Sequence, residues 1–319
     1  MNLNDPYSLS EDDRVIIDTA AAFAEKRIAP YALEWDESHH FPTDVLREAA
    51  ELGMGAIYCS EDSGGSGLRR LDAVRIFEAL AAADPTLAAF LSIHNMCAWM
   101  VDTFGTEEQR NHYLPRLANG TDIPCFALTG PYAGSDAGGM TDVGIVCKGE
   151  WQGREVIGMK VTWDKRYITL APVCTLLGLA FRLYDPDGLL GGKKDLGITC
   201  ALVPHDHPGV DTGRRHFPLN AMFMNGPTRG TDVFMPLDFI IGGPAMAGQG
   251  WRMLMECLAA GRSISLPSSN TGMSKLTARA VGGYARVRSQ FRTPVGKFEG
   301  VEEALARIGG NTYMMDAAR

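Results

Sequence analysis

Glycine and hydroxyl residues are concentrated in the stretch Thr129–Asp136, which reads TGPYAGSD and follows the strand-like run PCFAL. Glycine lets backbone approach a ligand closely, and hydroxyl groups can hydrogen-bond to it. The spacings G-x-G-x-x-G and G-x-x-x-x-G-K-[ST] are both missing, so the stretch lacks the usual signals of a dinucleotide turn and of a phosphate loop. The alternative is an ordinary strand followed by a Gly-Ser-Asp turn.

Two later motifs support a ligand-binding role for this stretch. The segment Lys165–Pro172, KRYITLAP, places an aromatic residue, Ile and Thr shortly after a lysine, and Arg288–Ile308 reads RSQFRTPVGKFEGVEEALARI. In this order the three motifs resemble the flavin loop, the second flavin segment and the C-terminal helix-turn-helix of acyl-CoA dehydrogenases. The resemblance spans most of the chain and implies FAD as the cofactor.

The resemblance also implies which residues contact FAD. Tyr167 stands where the family usually has a flavin-stacking Trp, with nearby Trp163 as the alternative, and Ser135 falls where family members contact phosphate or pantetheine. Ser135 and Arg262 are therefore the implied substrate contacts. The implied cofactor contacts, of which the last three reach the flavin of a neighbouring subunit, are Phe126, Leu128, Thr129, Gly134, Ser135, Tyr167, Ile168, Thr169, Arg288, Gln290 and Phe291.

The reaction that the resemblance implies is α,β-dehydrogenation of a saturated acyl-CoA in fatty-acid β-oxidation. A base removes the α-proton, a hydride passes from the β-carbon to the flavin, and trans-2-enoyl-CoA is formed. The implied electron acceptor is an electron-transfer flavoprotein, and the implied assembly is a homo-dimer or homo-tetramer. The segments KRYITLAPVCTLLGLAF and GRSISLPSSNTGMSK resemble the long bacterial β-oxidation dehydrogenases, whereas the first 120 residues look more like short family members.

The catalytic base is not identified by this resemblance. Family members carry a glutamate either in a late loop of the C-terminal domain, beyond the end of this sequence, or immediately before an arginine that corresponds to Arg262. Here Gly261 precedes that arginine, and Glu256 lies about 240° away around the predicted helix. One alternative is therefore a catalytically incompetent FAD- and acyl-CoA-binding homologue or fragment. Another keeps the fold but oxidises the flavin with oxygen.

The arrangement of apolar and turn residues predicts an α+β fold in three segments. Residues 1–121 have helical periodicity, with Thr106 as a helix cap; residues 122–243 contain short β-type runs; and residues 244–319 return to helix. We expect a helical N-terminal domain, an antiparallel β-barrel-like middle domain and an incomplete C-terminal helical bundle. The last helix is still running at Arg319, so the exposed faces of the bundle predict poor solubility or obligate oligomerisation.

Composition excludes several classes of protein. A net charge of −8 without a basic block argues against nucleic-acid binding. The N-terminus lacks the features of a signal peptide, and no uncharged apolar run is long enough to span a membrane, so we expect a cytoplasmic protein. Seven cysteines without C-x-x-C spacing predict reduced, buried thiols. His205 and His207 fall in a predicted exposed turn, PHDHPG, and no metal site is expected there.

Overall fold

The structure, a computed structural model, describes residues 11–318 apart from the side chains of residues 12, 13 and 260. Helices, strands and again helices follow one another in the predicted order. The α-helices are α1 Glu11–Phe23, α2 Ala32–Ser38, α3 Thr43–Ala49, α4 Arg70–Ala83, α5 Pro85–Phe104, α6 Glu107–Ala118, α7 Gly250–Ala260, α8 Leu266–Val287 and α9 Glu299–Ala318. The strands are β1 Pro124–Ala127, β2 Val143–Trp151, β3 Arg154–Thr169, β4 Leu176–Tyr184, β5 Asp195–Pro204, β6 Asn225–Pro236, β7 Ser289–Gln290 and β8 Thr293–Pro294.

The described residues fold into two compact units. The first contains the residues up to Glu34, Leu68–Ser92 and those from Ala260 onward, and the second contains Trp35–Gly67 and Ile93–Ala259. The domain boundaries after residues 121 and 243 remain predictions. No helix within the described residues is long and apolar enough to cross a membrane.

One six-stranded sheet forms the centre of the second unit, in the order β1-β4-β2-β3-β6 with β5 paired to the other edge of β4. Three pairings are antiparallel, whereas β4 runs parallel to both β1 and β2, which the predicted antiparallel arrangement did not include. A bridge between Ala201 in β5 and Ile240, just after β6, brings the two edges together. The sheet is therefore barrel-like, as expected.

Helices of the second unit cover this sheet with an apolar cluster and are fixed to it by side-chain hydrogen bonds. Thr106 caps α6 as predicted, since Gln109 N donates to its hydroxyl at 3.1 Å. The Gln109 amide also donates to the carbonyls of Asp238 and Ile240, both at 2.8 Å. Fully buried members of the cluster include Ala98, Val101, Leu114, Leu117, Ala180, Met253 and Leu254.

Two adjacent buried polar residues of α5 connect it to its neighbours. His94 is completely buried, and its Nε2 lies 2.8 Å from the Leu117 carbonyl at the end of α6. The Asn95 side chain accepts from Ile57 N at 2.6 Å and donates to the Met54 carbonyl at 2.7 Å. These hydrogen bonds to buried backbone groups help to hold α5 in position.

The burial of side chains tests two predictions made from the sequence, one for the histidines of the turn PHDHPG and one for the cysteines. The prediction of an exposed turn is correct for His205 but wrong for His207. The His207 residue is 7% exposed, and its Nε2 lies 2.8 Å from the Phe234 carbonyl oxygen. The rings of Trp151 and Phe239 cover it, with centroids at 5.3 and 5.4 Å. All seven cysteines are free, and six are buried as expected, whereas Cys147 is only half-buried. The described residues contain no group of three or more His, Cys, Asp or Glu side chains that could hold a metal ion.

Close contact between α4 and α8 organises the first unit. A Cβ built on Gly272 of α8 would lie 2.3 Å from the Glu78 carbonyl oxygen of α4, so only glycine allows this approach. One turn later the Lys275 ammonium contacts Glu78 at 2.5 Å and Asp316 of α9 at 2.7 Å. The three helices are thus fixed by a glycine contact and a charged network.

We expect Gly272→Ala to destabilise the protein by about 1–3 kcal/mol, because the added methyl group forces two backbones apart. The matched control is Gly283→Ala, also on α8, where a Cβ meets no atom within 4 Å. That control is expected to gain about 0.5–1 kcal/mol from helix propensity. Chemical denaturation of both variants measures the difference, and effects of equal sign and size would contradict the close contact.

Candidate functional site

The first two predicted motifs meet in the second unit. Arg166 N donates to the Thr129 carbonyl at 3.0 Å, so the loop after β1 is hydrogen-bonded to the end of β3. Between Lys165 and Ile168 the pairing of β3 with β6 shifts register, which is typical of a β-bulge. Tyr167 lies in this bulge with φ +57°, and its side chain is 64% exposed. The bulge therefore turns an aromatic ring outward beside the loop.

A buried ion pair lies beneath this junction. The Lys165 side chain is 0% exposed, and its ammonium donates to Asp142 Oδ2 at 2.5 Å and to the Leu128 carbonyl at 2.9 Å. Asp142 Oδ1 accepts a second hydrogen bond from Asp164 N at 3.0 Å. Burial lowers the pKa of Lys165, while the Asp142 carboxylate opposes that shift. The pair links the loop, the start of β2 and the interior of β3.

The sequence contained a signal for Lys165 that the motif comparison did not use. Val161, Trp163 and Lys165 alternate along β3 and are all buried, so strand periodicity places the lysine on the inward face. A buried ammonium needs a charged partner. Asp142 could not be identified in the same way, because it lies 23 residues earlier and no local pattern connects the two.

Four residues of the first two motifs pack against the sheet or the apolar cluster: Phe126, Leu128, Ile168 and Thr169. Phe126 packs on β4, where a Cβ on Gly178 would lie 2.5 Å from its ring, and Leu128 also packs against the apolar cluster. Ile168 is 3% exposed, and Thr169 pairs with Asn225 in β6. Of these four residues Ile168 is buried and the other three are half-buried, and their contact with a cofactor remains a prediction.

Trp163 belongs to the core. Its ring is 3% exposed, its Nε1 donates to the Thr228 hydroxyl at 3.3 Å, and it lies against Gly230. Between the two aromatic residues proposed for stacking, Tyr167 is the one with an accessible ring.

Gly134 and Ser135 are exposed at the outer end of the loop. A Cβ on Gly134 would meet no atom within 4 Å, so a ligand has room to approach the backbone there. The neighbouring Asp136 side chain accepts from Gly139 N at 3.2 Å and fixes the end of the loop. Gly134 and Ser135 are therefore accessible, and their contact with phosphate or pantetheine remains a prediction.

The other predicted site residues lie in the first unit. Strands β7 and β8 form a hairpin whose two turn residues, Phe291 and Arg292, have φ of +51° and +63°. Such a turn normally contains Asn or Gly, so these side chains are held in an unfavourable conformation. Phe291 is 90% exposed, and both Arg288 and Gln290 beside it are exposed.

The structure also describes the position expected for the catalytic base. Gly261 begins a π-helical turn, Gly261–Ser265, and Arg262 is exposed. Glu256 lies earlier, in α7, with Oε1 3.6 Å from Arg252 Nε in an exposed i,i+4 ion pair. Gly261 has no carboxylate and Glu256 contacts Arg252 in an exposed ion pair, so the catalytic residue remains unassigned.

Comparison with known proteins agrees with the motifs. Residues 10–121 match the family model described as Acyl-CoA dehydrogenase, N-terminal domain. Over 306 residues the chain is 38% identical to the mitochondrial isobutyryl-CoA dehydrogenase of Dictyostelium discoideum, covering 95% of this chain and 69% of that protein. The chain belongs to the acyl-CoA dehydrogenase family. The corresponding enzyme of Bos taurus is 32% identical, covering 93% of this chain and 67% of its own length, so the chain spans about two thirds of both relatives.

A solved structure of the family shows the same fold. Butyryl-CoA dehydrogenase from Megasphaera elsdenii superposes with a TM-score of 0.81 at 25% identity, covering 97% of this chain and 77% of that chain. The predicted fold, a helical N-terminal part followed by a barrel-like sheet, is confirmed. The particular resemblance of the middle segments to the long bacterial acyl-CoA dehydrogenases remains a prediction.

Proposed function

We propose that this chain is an FAD-dependent acyl-CoA dehydrogenase that converts a short saturated acyl-CoA to the 2-enoyl-CoA in fatty-acid β-oxidation. The observation that carries the proposal is the junction at Arg166 N and the Thr129 carbonyl, which unites the two flavin motifs beside the exposed Tyr167 ring. A short acyl chain is favoured because the relative at 38% identity is named for isobutyryl-CoA.

The residues at the junction fit a flavin. Within the described residues the Thr129 N–H donates to no acceptor, and its hydroxyl is also without a partner, so two groups are available to the polar edge of a ring. Tyr167 offers an accessible aromatic face for stacking. Gly134 leaves space for a diphosphate or pantetheine chain. When bound, FAD supplies the acceptor for the β-hydride of the substrate.

In the proposed reaction the chain binds and orients both molecules. Thr129 hydrogen-bonds the flavin and Tyr167 stacks on it, with Phe126, Leu128, Ile168 and Thr169 shaping the site from within the sheet. Ser135 contacts phosphate or pantetheine, and Arg262 positions the substrate or its base. Correct alignment of α-carbon, β-carbon and flavin is the main contribution of such contacts to the rate.

The proposal extends to assembly and electron transfer. Arg288, Gln290 and Phe291 reach the flavin of another subunit in a homo-dimer or homo-tetramer, and their exposure at a hairpin tip is consistent with this role. Electrons leave to an electron-transfer flavoprotein.

A second candidate is a non-catalytic homologue that binds FAD and acyl-CoA without turnover. Gly261 favours it, because glycine stands where the family can carry the glutamate immediately before Arg262. Without a positioned base, removal of the α-proton loses a factor of about 10²–10⁴ in rate.

Anaerobic titration of the FAD-loaded chain with isobutyryl-CoA, butyryl-CoA or palmitoyl-CoA tests the proposal. We expect slow bleaching of the flavin absorbance by the two short substrates and less by palmitoyl-CoA. A bound flavin that no acyl-CoA bleaches would support the non-catalytic homologue, and a chain that binds no FAD would contradict both candidates. Oxygen consumption without added acceptor would indicate the oxidase alternative instead.

A further inference from the structure

The carbonyl groups of Leu128 and Thr129 both point toward β3. The first accepts from the Lys165 ammonium at 2.9 Å and the second from Arg166 N at 3.0 Å. In a planar trans peptide the C=O and the following N–H point in opposite directions. Because Lys165 holds the Leu128 carbonyl, the Thr129 N–H is directed away from Lys165, and it has no acceptor within the described residues.

Lys165 is itself fixed in place. Its side chain is completely buried, and Asp142 Oδ2 receives its second hydrogen bond at 2.5 Å. The side-chain carboxylate of Asp142 also accepts a hydrogen bond from Asp164 N at 3.0 Å. The backbone carbonyl of Asp142 accepts one from Arg182 N at 2.9 Å. The donor that orients the loop therefore has little freedom to move.

Stability alone does not account for this arrangement. A buried ion pair is often no more stabilising than apolar residues of similar volume, because both charges lose their hydration. The contact that apolar replacements could not reproduce is the hydrogen bond from Lys165 to the Leu128 carbonyl. This contact acts on the peptide that carries the Thr129 N–H, which has no acceptor within the described residues.

We propose that Lys165, held by Asp142, is a positioning residue that fixes the Leu128–Thr129 peptide so that its free N–H can donate to the flavin. The inference rests on the proposed function and adds a residue pair that the family motifs did not assign. Lys165 acts through the loop backbone and does not itself touch the cofactor. Loss of the contact is expected to let the peptide rotate.

Three variants separate positioning from stability. Lys165→Met removes both the ion pair and the Leu128 contact, whereas Asp142→Asn removes the charge pairing but keeps that contact. In Lys165→Met/Asp142→Leu both buried charges are replaced by apolar groups. The matched control is Lys148→Met/Glu155→Leu, which removes an exposed 3.4 Å ion pair between β2 and β3 of the same sheet.

The readouts are the FAD dissociation constant, the thermal midpoint, and hydrogen exchange of the Gly130 and Arg166 amides in cofactor-free protein. We expect Lys165→Met to bind FAD about 10- to 100-fold more weakly than Asp142→Asn, the range expected for one hydrogen bond to a charged group. The double apolar variant should recover the parent thermal midpoint but not its FAD affinity, with faster amide exchange. The control variant, Lys148→Met/Glu155→Leu, should match the parent in FAD affinity, thermal midpoint and amide exchange.

Two results would overturn the inference while leaving the proposed function intact. One is parent-like FAD affinity in the folded double apolar variant. The other, which applies even if that variant does not fold, is equal weakening of FAD binding in Lys165→Met and Asp142→Asn. A parent chain that binds no FAD would instead overturn the proposed function and this inference together.

Discussion

Replacing Gly261 with glutamate is expected to accelerate bleaching of the bound flavin by a short acyl-CoA about 10²- to 10⁴-fold, the usual contribution of a positioned general base. The reason is the family resemblance, in which a catalytic glutamate immediately precedes the arginine that corresponds to Arg262. A Cβ at Gly261 meets no atom within 4 Å, so the larger side chain can be accommodated. Anaerobic stopped-flow absorbance at saturating butyryl-CoA or isobutyryl-CoA measures the rate.

The matched control for this gain of activity is Gly283→Glu. It adds the same carboxylate to α8 at another position where a Cβ meets no atom within 4 Å. We expect no acceleration there. If Gly261→Glu folds, binds FAD and bleaches it no faster than the parent, a base next to Arg262 is not what the chain lacks.

Acid is expected to destabilise the protein by about 3 kcal/mol between pH 6.5 and pH 4 through His94 alone. Burial lowers the pKa of His94 from 6.5 to about 4, outweighing the hydrogen bond to Leu117 and the charge of Asp122. In this interval the unfolded chain binds a proton that the folded chain excludes. The free energy of unfolding therefore falls as pH falls, by about 1.4 kcal/mol per pH unit. Denaturation curves at several pH values give the slope.

His94→Gln provides the comparison, since an amide can still donate to the Leu117 carbonyl but does not titrate. Between pH 6.5 and 4 we expect the free energy of unfolding of this variant to change less steeply with pH than that of the parent. The difference in slope should correspond to close to one proton, even if the variant is less stable at neutral pH. An unchanged slope in His94→Gln would show that another group binds the proton.

Local pattern was sufficient to predict the order of helices and strands. Thr106 caps α6 as expected, because its partner Gln109 lies within the same turn. Pairing between distant strands could not be predicted in this way. The parallel register of Cys125 with Leu177 joins segments about 50 residues apart, and nothing in either segment specifies the other as its partner. Likewise, the burial of His207, which follows β5, depends on Trp151 at the end of β2.

In the candidate site, too, the features within one continuous motif could be predicted and the contacts between distant segments could not. Thr129 and Tyr167 were identified because the motifs that contain them are continuous in sequence. Their meeting through Arg166 N, and the outward direction of the Tyr167 ring, come from a bulge in β3 that no residue preference announces. Asp142 was missed because its role is defined only by the buried Lys165 that it contacts. Contacts of this kind become visible only in three dimensions.

The separation of α4 from α8 along the chain has a consequence for the order of biosynthesis. Glu78 and its partner Lys275 are 197 residues apart, and the second unit supplies most of the intervening chain. At about 5–20 residues per second, the ribosome needs on the order of 10–40 s to produce α8 after α4. We therefore expect the second unit to fold during translation, before α8 is available to cover the apolar side of α4. During this interval a chaperone can bind the exposed side of α4 on the nascent chain.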